Sequence, residues 1–154
     1  MKVGENKKHS FFKKIGLFLV FFLIFGVGWI WYIFNEKFSD TREITPFFNI
    51  SALDLIHEFE KNDSLANKKY AEKIMLVYGE VSAMEGVDST VNIKMADSTS
   101  GSYVIFAFQQ QYYGQANKIK LGDKVSIKGS CSGGAYSKIL ETEFITFKRC
   151  AINN

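Results

Sequence analysis

Residues able to do chemistry are scarce in this chain. Its 154 residues include one proline, two cysteines and two histidines. The single Pro46 excludes a proline-rich spacer. Two cysteines are too few for a scaffold of several disulfides. No P-loop, dinucleotide fingerprint or zinc spacing is present, so neither a cofactor nor a metal is expected. Charge of one sign is also lacking, although the net charge is +3. Five of the 19 basic residues and one of the 16 acidic residues fall in positions 1–14, which leaves a remainder of net charge −1. A nearly neutral remainder lacks the electrostatic footprint of a protein that tracks phosphates, so a nucleic-acid partner is not favoured.

What the chain does have is an apolar run. Residues 15–34 carry no charged side chain, and at about 1.5 Å per residue a helix of that length spans roughly 30 Å, the hydrocarbon core of a bilayer. Lys7, Lys8, Lys13 and Lys14 crowd its N-terminal flank, while its C-terminal flank is mixed in charge. The positive-inside bias therefore predicts a single-pass inner-membrane protein with residues 1–14 inside and the rest outside. Trp29, Trp31 and Tyr32 suit the outer aromatic belt, as Lys13 and Lys14 suit the inner interface. A cleaved signal peptide is the alternative, but its core is usually about 7–15 residues long and ends in small residues. No GxxxG pair indicates helix dimerisation.

Residues 35–49 have no sustained period and read as a stalk. Ser51 to Asp54 forms a capping box, with Asp in the usual Glu position. Ala52, Leu55, Ile56 and Phe59 follow at helical spacing. A second helix is expected from Ser64 to Tyr70, packing through Leu65, Ala66 and Tyr70. The period then changes to two. Ile74–Val81 reads as a strand in which Gly79 marks a bulge or bend. In Thr90–Met95, Val91, Ile93 and Met95 face inward. Tyr103–Phe108 and Lys124–Lys128 are further strands, and a last one lies within Phe144–Ile152. A helical connection is expected within 109–121, although Gly114 disfavours it, and a glycine-rich loop at 129–134. The fold class is therefore mainly β with α: a five-stranded OB-type Greek-key barrel over 50–154, preceded by short helices and one transmembrane helix.

Ala52-Leu-x-Leu55, Glu60-x-Asn62, Ala66, Tyr70, Lys73 and Val77-x-Gly79-x-Val81 together resemble the tRNA_anti-like family of bacterial OB-fold proteins. Leu121 to Gly129, Cys131, Gly133 and Cys150 continue the likeness, which covers roughly residues 50–152. One departure is Ala71-Glu72, where the family more often has Lys-Gly. These motifs are glycines, turns and core aliphatics, so the resemblance implies a fold and is nearly silent on activity. It further implies an exported or membrane-anchored protein.

Gly129-Ser-Cys-Ser-Gly133 has the outline of a nucleophile elbow, but no helix start follows it and no histidine lies downstream. A cysteine hydrolase built on Cys131 would need a depressed thiol pKa and a base in reach. Cys131 and Cys150 fall on segments read as adjacent strands and could form a disulfide outside the cytoplasm; two buried thiols are the alternative. His57 reads as solvated, and Glu58, Glu60 and Asp63 lack the spacing of a calcium loop. The remaining candidate is the outer face of the second and third barrel strands, where OB proteins hold oligonucleotides or sugars. That face would include Asn92, Lys94 and Tyr103, rimmed by Lys128 and Tyr136. The sequence thus predicts a non-enzymatic binding module of the cell envelope, held to the lipid bilayer through residues 15–34, with an envelope protein or glycan as partner. An oligonucleotide-binding domain is the first alternative, the Cys131 hydrolase the second.

Overall fold

The computed structural model describes residues 18, 21–31, 40–87 and 90–153. The chain divides into two units, Met1–Phe38 and Ser39–Asn154. In the first, residues 21–31 are helical. Phe18, Phe21, Phe22 and Phe25 pair at helical spacing, with ring centroids 5.6 and 5.8 Å apart, and Trp29 and Trp31 are exposed. Among the described residues no helix is long and apolar enough to cross a membrane. The expected span 15–34 and basic tail 1–14 extend beyond them, so Lys13, Lys14 and Tyr32 lie outside the described residues.

The second unit begins in what the sequence suggested was a stalk. A turn at 40–43 leads into strand β1 (Phe48–Ser51). Ser51 then caps helix α1 (Ala52–Lys61), its hydroxyl accepting the Asp54 backbone N–H at 3.0 Å. Ala52, Leu55, Ile56 and Phe59 are buried, as their spacing requires. Asn62 ends α1 and caps α2 (Asp63–Tyr70), accepting the Leu65 N–H at 2.9 Å. Of the packing residues expected on α2, Ala66 and Tyr70 are buried but Leu65 is exposed.

Six further strands follow: β2 (Ile74–Glu80), β3 (Ala83–Val87), β4 (Thr90–Ala96), β5 (Tyr103–Phe108), β6 (Lys124–Ser137) and β7 (Thr142–Ile152). Seven strands thus replace the five expected, because residues 48–51 and 83–87 also pair. They form one sheet in the order β1-β2-β6-β7-β5-β4-β3. Pairing is parallel for β1 with β2 and for β5 with β7, and antiparallel elsewhere. Only Val81 and Ser82 separate β2, which pairs with β6, from β3, which pairs with β4. Gly79 stays in register with Val125 and marks no bulge; the change of pairing partner falls at Val81 and Ser82. The glycine serves close packing instead: a Cβ there would stand 2.9 Å from Met95 Sδ and 3.1 Å from Ala52 Cβ.

Two expected segments differ. Residues 109–121 contain only a 3-10 turn (Gln110–Tyr112) and α3 (Tyr113–Ala116), in keeping with Gly114. The glycine-rich stretch 129–134 is not a loop but the middle of β6. Its glycines make room. A Cβ on Gly129 would meet Cys150 Sγ at 2.7 Å, and one on Gly134 would meet the Phe59 ring at 2.6 Å. Asn67 of α2 donates to the Gly134 carbonyl at 2.8 Å and accepts its N–H at 2.9 Å. The α1–α2 hairpin is therefore seated on β6, and Phe59, Tyr70, Phe106, Phe147, Met75 and Ile127 belong to one buried core. Each such side chain contributes roughly 1.5–3 kcal/mol through burial.

Candidate ligand-binding face

Alternation along the strands sorts β4, β5 and β7 into two faces. Val91, Ile93 and Met95, then Val104, Phe106 and Phe108, then Glu143, Ile145 and Phe147 are buried. The residues between them make the outer face. In register, Lys94 lies opposite Ile105, which lies opposite Thr146; Ala96, Tyr103 and Phe144 form the next row. Asn92, Lys94, Tyr103, Ile105, Phe144 and Thr146 are all half-buried.

Tyr103 and Phe144 stack with centroids 6.4 Å apart and planes 25° apart. Lys94 Nζ stands 4.7 Å from the Tyr103 ring centroid and 2.6 Å from Glu85 Oε1 on β3. Cation, ring and carboxylate thus share one spot; Lys94 and Tyr103 meet there, while Asn92, the cross-strand partner of Glu85, lies on the same face. Phe144 and Glu85 were missed by sequence reasoning: each shows only once the strands are in register. The two rim residues do not join them. Lys128 is buried, 8% exposed, and its Nζ donates to the Arg42 carbonyl at 2.8 Å. The segment around Arg42 covers it, so it cannot rim an open surface. Tyr136 is exposed, but it pairs with Glu143, whose side chain alternates onto the opposite face from Phe144.

The other candidates are corrected by their surroundings. Cys131 and Cys150 are both buried and free. They do lie on the neighbouring strands β6 and β7, but Cys131 sits opposite Phe147, three residues from Cys150. Burial pushes the Cys131 thiol up to about 11, the reverse of what a nucleophile needs. That overturns the hydrolase reading; the elbow-like string is the seat of the helical hairpin. His57 is exposed, as its position suggested, and it also has a partner that spacing could not reveal. Its Nε2 lies 3.1 Å from Asp97 Oδ2 in the β4–β5 connection. The Thr99 backbone N–H and then His57 hold the Asp97 carboxyl below its ordinary range, against desolvation. Among the described residues no group of three or more His, Cys, Asp or Glu could hold a metal.

A cleft of about 990 Å³ lies elsewhere, between the start of α1, the β2–β3 junction and the β4–β5 connection. Leu53, Tyr78, Val81, Asp97 and Lys124 line it, and the outer-face aromatics do not. Lys124 there is the cross-strand partner of Glu80, another lining residue, and Asp97 is hydrogen-bonded to His57, so no unpartnered charge points to a ligand. The size of the cleft is its only claim. The outer face has the more specific constellation.

Among solved structures, a Klebsiella pneumoniae lipoprotein named as a candidate nucleic-acid binder is similar over 68% of this chain and 91% of its own, at 15% identity and a TM-score of 0.52. That likeness shows the fold. A candidate aspartyl-tRNA synthetase from Leishmania major is similar over 77% of this chain and 22% of its own, at 10% identity and a TM-score of 0.45. An OBody bound to hen egg-white lysozyme is similar over 77% of this chain and 96% of its own, at 17% identity and a TM-score of 0.43. No curated protein matches the chain. Residues 1–142 match the family description tRNA_anti-like, a longer stretch at the N-terminus than the sequence motifs covered. The chain belongs to the tRNA_anti-like family.

Proposed function

We propose that the chain is a membrane-anchored, non-enzymatic binding module of the cell envelope, which recognises its partner with the outer face of β4, β5 and β7. The observation that carries this reading is the cluster of Lys94, Tyr103 and Phe144 on that face. Aromatic rings beside a positioned cation form a recognition surface, because they offer large apolar area at small entropic cost together with a directed charge. In this reading β2 and β3 are two arms of one bent strand that closes an OB barrel. Residues 15–34 are the anchor, with residues 1–14 in the cytoplasm and the barrel outside. Lys13 and Lys14 mark the inner interface, and Trp29, Trp31 and Tyr32 the outer one. Tethering confines the barrel near the bilayer and raises its effective concentration for an envelope protein or glycan.

Cross-linking the full chain in intact membranes, with capture of its partner, tests the recognition role. The double variant Tyr103→Ala/Phe144→Ala is expected to lose a partner that the parent chain recovers; undiminished recovery would refute the role of this face. Orientation is tested separately. Both native thiols are buried, so a cysteine placed at the exposed Leu121 should react with a membrane-impermeant maleimide in whole cells. Reaction only after lysis would reverse the topology.

A second reading, binding of single-stranded oligonucleotides, is favoured by the Tyr103–Phe144 pair, since stacking on aromatics is the common mode for such ligands. The name of the Klebsiella pneumoniae lipoprotein points the same way. It predicts retention of oligonucleotides at low salt.

A further inference from the structure

The lysines of the outer face are not available as free cations. Alternation along β4 and β7 places two lysines there, Lys94 and Lys148, and each is held by a glutamate from another segment. Lys94 Nζ lies 2.6 Å from Glu85 Oε1 of β3. Lys148 Nζ lies 3.0 Å from Oε1 and 3.2 Å from Oε2 of Glu72, in the turn after α2. Lys94 stands over Tyr103 at the same time. A phosphate approaching either lysine would therefore meet a carboxylate already in place. It could displace that carboxylate, since exposed pairs are individually weak, but the displaced charge would remain beside it and repel it.

Resting on the reading that this face is the recognition surface, we propose that Glu85 and Glu72 are built-in counter-anions that tune it to an uncharged ligand and exclude phosphate-bearing polymers. The aromatic pair supplies contact area, Asn92, Thr146 and the two ion pairs supply hydrogen-bonding groups, and the sum of charge over the two pairs is zero. Specificity here is obtained by repulsion of the wrong ligand as well as attraction of the right one.

Glu72→Gln/Glu85→Gln in the full, detergent-solubilised chain separates these effects. The probe is a fluorescent oligo(dT) single strand of roughly twelve nucleotides. The unmodified chain is expected to show no saturable binding at about 50 mM salt. The double variant should bind at least about tenfold more tightly, with log affinity falling against log salt at a slope near −1.4, the value for two phosphate contacts on a single strand. Glu58→Gln frees Lys69, paired at 2.9 Å on the helical hairpin away from this face, and should gain nothing. Tight, salt-dependent binding by the unmodified chain would overturn the proposal. So would a double variant no tighter than the parent or than Glu58→Gln. Partner loss in Tyr103→Ala/Phe144→Ala is a separate readout: if it is absent while the gain of oligonucleotide is seen, the recognition role fails and the charge exclusion stands.

Discussion

Glu143 is 3% exposed and its Oε1 has no hydrogen-bond partner. Burial first, then the charges of Asp63 and Glu60, push its carboxyl up to about 7. A carboxyl whose folded pKa exceeds its unfolded value binds more protons in the folded chain, so stability is greatest below the unfolded value and is lost as pH rises toward 7. Thermal melts are expected to show that decline between about pH 4.5 and 7, and Glu143→Gln should abolish much of it; a variant that keeps the full slope would remove Glu143 as its source. Glu72 sits at φ 61°, in the left-handed region that favours glycine. Glu72→Gly should raise stability by about 1 kcal/mol in chemical denaturation, because the Cβ penalty disappears. Cys131 and Cys150 should resist iodoacetamide in the native chain and react once it is unfolded, since both thiols are buried and burial raises both above the ordinary range. Native-state alkylation would show that the β6–β7 region opens.

Elements were legible where local rules and tertiary packing agree. The Ser51 cap, the buried stripe of α1 and the alternation of Val91, Ile93 and Met95 stand as written in the sequence, because each depends on neighbours within a few residues. The central piece of β6 was not legible: Gly129, Gly133 and Gly134 are poor strand formers. They are required by what lies across from them, the Cys150 sulfur, Asn67 and Phe59. Gly134→Ala should therefore cost about 1–3 kcal/mol through overpacking against Phe59 and loosen the α1–α2 hairpin. Amide exchange would locate the effect in residues 52–70, and uniform loss of protection over the whole sheet would contradict a local seat. The outer face was half legible. Asn92, Lys94 and Tyr103 follow from alternation, but Phe144 and Glu85 join them only through strand register. Lys128 reads as an outward residue by the same alternation, and is covered because a segment 86 residues earlier folds over it.

At the scale of the whole molecule, the N-terminal edge of the sheet unit is stitched down before its first strand begins. Asp40 Oδ2 accepts from the Tyr112 hydroxyl, Arg42 lies 5.8 Å over the same ring, and Lys128 holds the Arg42 carbonyl. β1 then runs parallel to β2 over four paired positions. β1 is therefore fastened ahead of its first residue as well as along its length, so its N-terminal end is not a loose end from which fraying starts.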